Sequence, residues 1–276
     1  FDLEGYVQLL QEYRSPRAYV VPPVVLALAK HPVVDRYDLS SLRMIMSAAA
    51  PVSPDLCRAL SERLGCQVKQ AYGMTELSPC SHAIPESDVR VGSGGVVVRN
   101  TESKIVDIAT GRDLGPNQQG EIWVRGPQVM QGYLNRPEAT AETITPEGWL
   151  RTGDIGYADD DGCFYIVDRL KELIKYKGYQ VAPAELEALL LTHPAIADAA
   201  VIPSPDDEVV EVPKAFVVLR HDADPDEILE YVAQRVAPYK KIRRIELIDQ
   251  IPKSPSGKIL RRVLVERERE RALAPA

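Results

Sequence analysis

Residues 42–70 read LRMIMSAAAPVSPDLCRALSERLGCQVKQ, and the order of patterns along them decides the fold class. Leu42 to Met46 is a short apolar run of the kind that forms a buried strand. It ends in small residues, Ser47-Ala48-Ala49-Ala50-Pro51. Ser53-Pro54 then places a capping hydroxyl before a proline at the first helical position, and Gly65 closes that helix. A second strand follows near Gln67–Gln70. Strands alternating with helices predict a parallel α/β sheet.

The same alternation holds upstream. Asp2 caps a predicted helix running through Tyr13, with Leu3, Tyr6, Val7, Leu10 and Tyr13 on roughly one face. Ala18 to Val21 reads as a strand stopped by Pro22-Pro23, and Val24 to Lys30 as helix. From Val96 to about Asp168 the pattern changes. Val96–Val98, Ser103–Ile108, Glu121–Val124 and Phe164–Val167 are separated by Gly, Pro and Asn turns, which predicts β-rich, barrel- or meander-like structure. A further α+β unit is expected from Arg169 onward. It comprises helix Pro183–His193, strands Ala199–Ile202 and Ala215–Leu219, and helix Pro225–Val236. Glu266 to Arg271, a mixed-charge run, reads as a solvated helical tail. The expected division is therefore residues 1–168 and residues 169–276.

Hydrophobic content of 45% and charged content of 26% fit a soluble globular protein with a core. The net charge of −7 (33 − 40) disfavours nucleic acid as a partner. No apolar run approaches the ~18–20 residues of a membrane span. Cys57, Cys66, Cys80 and Cys163 show neither metal-ligand spacing nor a disulfide framework, which suits a reducing compartment. No signal-peptide pattern starts at Phe1, and Leu273-Ala274-Pro275-Ala276 is not a peroxisomal address; a cytoplasmic location is expected.

Chemistry concentrates in a few strings. In Tyr72-Gly73-Met74-Thr75-Glu76 the glycine lets backbone approach a ligand, the threonine hydroxyl can donate to a phosphoryl oxygen, and the glutamate can hold Mg²⁺. The small residues after Ser47 leave room for a flat ring at the carboxyl end of a strand. Gly148 to Asp154 puts a carboxylate on a Gly-flanked turn, where it can accept from both ribose hydroxyls or satisfy its own backbone. Asp168 to Gln180 carries Arg169, Lys171, Lys175 and Lys177, which suits a polyanion or simply a charged surface hairpin. Lys258 stands in Pro252-Lys253-Ser254-Pro255-Ser256-Gly257-Lys258, read as a flexible loop that can deliver a point charge. This is not a Walker loop, whose Gly-x-x-x-x-Gly-Lys-Ser/Thr pattern is missing.

Jointly, these strings resemble the acyl- and aryl-CoA synthetases of the adenylate-forming superfamily, nearest to the 4-coumarate-CoA ligase-like group. The resemblance spans essentially all 276 residues. It implies the later part of a large AMP-binding domain (1–168), with a parallel α/β sheet and a barrel-like β part, followed by a small rotating lid domain (169–276). It further implies that Ala48, Ala49, Ala50, Gln70, Ala71 and Tyr72 line the adenine and acyl-adenylate site. Thr75 would meet the α-phosphate, Glu76 hold Mg²⁺, Asp154 bind ribose, and Arg169 lie near ribose and phosphate. Lys171 falls at the hinge position. Lys175 and Gln180 would face the adenylate during thioester formation, Lys177 and Gly178 would meet CoA, and Lys258 would serve adenylation. Gly73, Pro79, Cys80 and Ala83 would border the acyl pocket.

The implied reaction joins a carboxylic acid to ATP, giving acyl-AMP, and then to CoA, giving a thioester. The acid is expected to be an aromatic propenoic acid or a medium- or long-chain fatty acid. Ala71 stands where many relatives have glycine, and the family's Ser/Thr/Gly-rich loop ending in Pro-Lys is not among these residues. This chain alone is therefore expected to be inactive, and to pair with a missing half or self-associate through an exposed sheet edge. A peptide-synthetase adenylation domain is one alternative, although Lys175-Tyr176-Lys177-Gly178-Tyr179-Gln180 favours free CoA over a carrier protein. A non-catalytic adenylate- or CoA-binding fragment is the other.

Overall fold

The computed structural model describes residues 1–206 and 208–273, so Ala274-Pro275-Ala276, weighed above as an address, lies outside the described residues. The chain divides into two compact units, Phe1–Ile166 and Val167–Ala276.

The first unit opens with α1 (Leu3–Glu12), whose N-terminal amides at Glu4 and Gly5 donate to the Asp2 carboxylate. Val7 and Leu10 of the expected face are buried, but Tyr13 caps the helix and is 71% exposed. β1 (Arg17–Val20) and α2 (Pro22–Lys30) follow. The helix starts two residues before the expected Val24, because Pro22 and Pro23 fill first-turn positions whose N–H groups have no helical partner anyway. β2 (Met44–Ser47), α3 (Pro54–Leu64) and β3 (Gln67–Gly73) realise the strand–helix–strand unit. Ser53 Oγ accepts from Leu56 N–H, and Gly65 ends the helix with φ +62°, the left-handed conformation glycine adopts without strain. β1, β2 and β3 are parallel, with Val20, Ser47 and Gln70 in register at their carboxyl ends. β4 (Cys80–Ala83) and β5 (Val96–Val97) complete the five-stranded sheet in antiparallel sense. Its core includes Val25, Leu28, Ile45 and Leu60.

A second sheet runs β6 (Glu102–Val106), β7 (Gly120–Arg125), β8 (Leu150–Ala158) and β9 (Phe164–Arg169) in simple order, with helix α4 (Pro137–Thr143) between its middle strands in sequence. Of the barrel- and meander-like alternatives the structure takes the second: among the described residues these strands form an open meander. It packs on Leu77, Ile105, Ile122 and Leu150.

The second unit is an α+β sandwich. Hairpin β10 (Ile174–Tyr176) and β11 (Tyr179–Val181) precede α5 (Pro183–Leu190), then the long pair β12 (Ile196–Asp206) and β13 (Val210–Leu219), α6 (Pro225–Ala233), β14 (Arg244–Leu247) and α7 (Arg261–Leu273). The long strands outrun their expected ends because Pro203 and Pro213 face each other and pairing continues past them. Leu186, Leu190, Ile228 and Val232 pack on one set of sheet residues, and Leu264 of α7 joins Ala200, Ile202 and Phe216 in a separate cluster. The tail expected to be solvated is helical but partly buried: Glu268 is 9% exposed, paired with Lys214 and accepting from Ser204 Oγ at 2.7 Å.

Candidate active site

In the first unit, the expected residues gather at the carboxyl ends of β2 and β3, where open α/β sheets place ligands. Ala48 to Ala50 form the bend after β2, and Ala49 takes φ +80°, which only a small side chain tolerates at modest cost. Gln70 Oε1 accepts from Val52 N–H at 3.0 Å, so this side chain fixes the bend beside the next strand. Ala71, Tyr72 and Gly73 continue β3, opposite Ala83, His82 and Cys80 of the return strand β4. A Cβ on Gly73 would lie 1.8 Å from the carbonyl oxygen of Pro79, so this position admits no side chain without backbone movement. Gly73, Pro79, Cys80 and Ala83 thus share one antiparallel turn-back.

Thr75 and Glu76 open a short 3-10 turn immediately after β3. The Glu76 carboxylate accepts from Tyr133 Oη at 2.8 Å, and its carbonyl accepts from Met130 N–H. Burial and this carboxylate both push the Tyr133 phenol up, which keeps it a neutral donor.

Asp154 is not on the expected turn. It lies within β8, at a bulge, and is buried. Between the pairs Glu121–Ile155 and Trp123–Arg151, Thr152, Gly153 and Asp154 oppose Ile122 alone. Gly153 takes φ +69° there, and its N–H donates to Glu121 Oε1 at 2.9 Å. Thr152 Oγ1 donates to Ile122 O at 2.7 Å and accepts from Asp154 N–H at 3.1 Å. Glu121 Oε2 also takes the Trp123 indole N–H at 2.8 Å. Bulges re-aim side chains, and this one carries Asp154 Oδ2 to within 2.7 Å of Tyr72 Oη, which donates to it. The Tyr-Gly-Met-Thr-Glu string and the Thr-Gly-Asp string, 82 residues apart across that bond, therefore meet.

Beside them His82 is buried against Tyr72 and Phe164, with Ser81 Oγ at 2.9 Å from Nδ1 and no hydrogen-bond partner for Nε2 among the described residues. Burial pulls its pKa down to about 4. All four cysteines are free thiols, and burial raises Cys80 as well as Cys66, the latter to about 11. An open depression of about 580 Å³ between Gln131–Asn135 and α4 touches the site only through Tyr133 and contains none of the expected residues.

In the second unit the expected cations stand on turns and at short strands. Arg169 ends β9, and Lys171 lies exposed in the 3-10 turn Leu170–Glu172. Lys175 and Gln180 are cross-strand neighbours on the β10–β11 hairpin. Its two-residue loop, Lys177-Gly178, has φ +48° and φ +82°, the signature of a type I′ turn. Lys258 is exposed, but its loop is more ordered than expected: Ser254 N–H donates to Lys258 O and Gly257 N–H to Ser254 O, each at 2.9 Å.

Sequence reading missed Glu121, Tyr133 and a basic-aromatic strip near the hairpin. In that strip Tyr179 stacks on Tyr239 at 4.4 Å, Arg243 lies over Tyr176 at 5.2 Å, and Lys240 is anchored to Glu185. The run Tyr239-Lys240-Lys241-Ile242-Arg243 could have flagged it, since aromatic and basic residues interleave.

Comparison with known proteins gives a consistent picture. The family profile described as AMP-binding enzyme matches residues 1–134, and that of the AMP-binding enzyme C-terminal domain matches residues 185–258. A 4-coumarate-CoA ligase 2 of Nicotiana tabacum is 53% identical over 272 residues, covering 96% of this chain and 50% of that protein. A 4-coumarate-CoA ligase 2 of Narcissus pseudonarcissus is 54% identical, covering 96% and 48%. The chain thus spans about half the length of the curated relatives it matches. Among solved structures, ATP-bound MatB from Rhodopseudomonas palustris superposes with TM-score 0.91 at 28% identity, covering 97% of this chain and 53% of that one. The o-succinylbenzoate CoA synthetase of Bacillus subtilis, in complex with its acyl-adenylate intermediate, gives TM-score 0.84 at 31% identity, covering 96% and 54%.

Proposed function

The chain belongs to the AMP-binding enzyme family, and from that premise we propose that it forms the later part of an acid-CoA ligase. The ligase would activate a carboxylate with ATP to acyl-AMP, release pyrophosphate, and pass the acyl group to the CoA thiol. An aromatic propenoic acid is the favoured substrate, because relatives more than 50% identical are named for 4-coumarate. The observation that carries the reading is the Tyr72–Asp154 hydrogen bond, which sets a ribose-type acceptor beside the Thr75 and Glu76 turn.

In this reading Asp154 accepts from ribose hydroxyls, Thr75 donates to the α-phosphate, and the Ala48–Ala50 bend walls the adenine, positioned by Gln70. Glu76 fits a magnesium expectation in kind: one carboxylate, oriented by Tyr133, with phosphate oxygens and water to complete the ligand set. A bound Mg²⁺ would offset charge on the phosphates. Lys258 would stabilise the charge that develops as pyrophosphate departs. Lys171 would be the pivot that exchanges Lys258 for Lys175 and Gln180, a form of gating between two half-reactions. The Tyr176, Tyr179, Tyr239 and Arg243 strip beside Lys177 offers stacking faces and cations to the phosphorylated nucleotide of CoA.

Calorimetric titration of AMP into the 276-residue chain tests the reading. Binding is expected, weakened about tenfold or more in Tyr72→Phe and Asp154→Asn, since hydrogen bonds to charged groups contribute roughly 1.5–3 kcal/mol. AMP binding untouched by Asp154→Asn would overturn the assignment. Binding without turnover fits the expected inactivity of this polypeptide alone; robust acid-dependent ATP–pyrophosphate exchange from it would remove that expectation.

A further inference from the structure

The second unit contains a partly buried charged group that the proposed chemistry does not use. Arg261, the first residue of α7 and three positions after Lys258, is 16% exposed at its side chain. Its guanidinium is shared among three elements. One nitrogen pairs with Glu172 Oε2 of the turn that holds Lys171. Another donates to both carboxylate oxygens of Glu187 on α5, at 2.8 and 2.6 Å. The Nε–H donates to the carbonyl of Val201 on β12 at 3.3 Å. Glu187 Oε1 in turn accepts from Val201 N–H at 2.8 Å.

The turn is pinned at its other end too. Asp168 is buried, and its carboxylate accepts from Arg169 N–H at 2.7 Å and from Ala184 N–H of α5 at 2.9 Å. The segment from Asp168 to Glu172 is thus fastened at both ends to α5, directly through Asp168 and through Arg261 at Glu172. Lys171, exposed between them, has nothing comparable holding its side chain among the described residues. The carboxylates facing Arg261 are Glu172, Glu187 and Asp168; burial raises Asp168 above the ordinary carboxylate range and Glu187 to about 7, against the pull of Arg261. Only a fork of fixed donors can serve Glu172 and both oxygens of Glu187 together.

We propose that Arg261 is a positioning residue that locks the Lys258 turn and the Leu170–Glu172 turn into one rigid body, so that Lys258 keeps a fixed position relative to the turn that carries Lys171. The functional meaning of this lock rests on the ligase reading, but the lock itself is tested without substrate.

Amide hydrogen exchange on the 276-residue chain reads the coupling, at Gly257 and Lys258 on one turn and at Arg169 on the other, with Ile228 and Val232 of α6 as reporters of global opening. Glu172→Gln touches only the turn that carries Lys171. It is expected to speed exchange at Gly257 and Lys258 about tenfold while α6 is unchanged, the pattern of a local opening. Arg261→Lys keeps a buried cation and should restore most of the stability lost in Arg261→Met. It should nevertheless leave both turns exchanging fast, because a single ammonium cannot span the two carboxylates. A purely structural arginine would show rescue of stability and exchange together in Arg261→Lys. That outcome, or an effect of Glu172→Gln confined to its own turn, would overturn the proposal. Either result leaves the AMP titration untouched, so the two readings fail separately.

Discussion

In the first unit the acidic groups of the candidate site are bonded side chain to side chain, Asp154 to Tyr72 and Glu76 to Tyr133. In the second unit the candidate lysines stand exposed, on turns or, for Lys175, on a hairpin strand, and the strong side-chain bonds lie elsewhere, in two largely buried ionic groups centred on Arg261 and Lys214. The difference follows from the chemistry each would serve. A carboxylate that recognises a ribose or a metal must present fixed lone pairs, so its rotamer is held by a phenol. An ammonium acting as a point charge needs reach more than fixed geometry, so rigidity belongs in the scaffold under it.

The largest effect should come from removing that scaffold. Lys214 is 9% exposed at its side chain, 3.0 Å from Glu246 and paired with Glu268, each of these 11% exposed. Lys214→Ala takes the buried cation from Glu268 and leaves Glu246 with Arg267. Losing one partner of a buried pair costs about 3–5 kcal/mol, and denaturant titration should find that loss in the second unit. A loss under ~1 kcal/mol would mean that the buried ions there are dispensable, and the contrast between units would fail.

Titration sharpens the comparison, because the two units should respond to pH in opposite directions. His82 ordinarily protonates near 6.5 but resists until about 4 in the folded chain. Between those values the unfolded state takes up a proton that the folded state refuses, so the first unit loses stability as pH falls. The full shift corresponds to ~3 kcal/mol. Glu187 behaves conversely: its carboxyl ordinarily ionises near 4.5 but keeps its proton to about 7 when folded. Over that window the folded state binds more protons, so the second unit loses stability as pH rises. Unfolding monitored separately for each unit from pH 4 to 7 should show slopes of opposite sign. His82→Leu should flatten only the first. Parallel slopes, or an unchanged one in His82→Leu, would count against the burial of that imidazole as its controlling influence.

What was legible in the sequence follows the range of the interactions. Asp2, Ser53 and Gly65 act on their own helices, so α1 and α3 could be read residue by residue. The parallel sheet followed from the alternation those helices create, and its crevice put the Ala48–Ala50 bend beside Gln70 as expected. Asp154 was recognised by its string but misplaced, because the bulge that aims it depends on register with β7 and on Glu121, 32 residues from Gly153. Arg261 escaped notice for a similar reason. Its partners are 74 and 89 residues away, beyond anything a local pattern encodes. The charged run at Glu266–Arg271 reads as solvated because periodicity reports apolar residues. Nothing local to Glu268 reveals that Lys214 and Ser204 await it.

The smallest stability effect should fall on the lysine expected to matter most for chemistry. The Lys258 turn is closed by backbone bonds from Ser254 N–H to Lys258 O and from Gly257 N–H to Ser254 O. The Lys258 N–H adds a bond to Ser254 Oγ at 3.2 Å, and none of these uses the ammonium group. Lys258→Ala keeps all of them. Surface substitutions of this kind usually change stability by no more than ~0.5 kcal/mol, so the same denaturant titration should barely separate this variant from the parent chain. Two lysines in one unit would then stand at opposite ends of the scale, Lys214 spent on holding the fold and Lys258 left available for a ligand. A loss above ~1 kcal/mol in Lys258→Ala would place Lys258 with the scaffold, and remove the physical ground for assigning it a charge-delivering role.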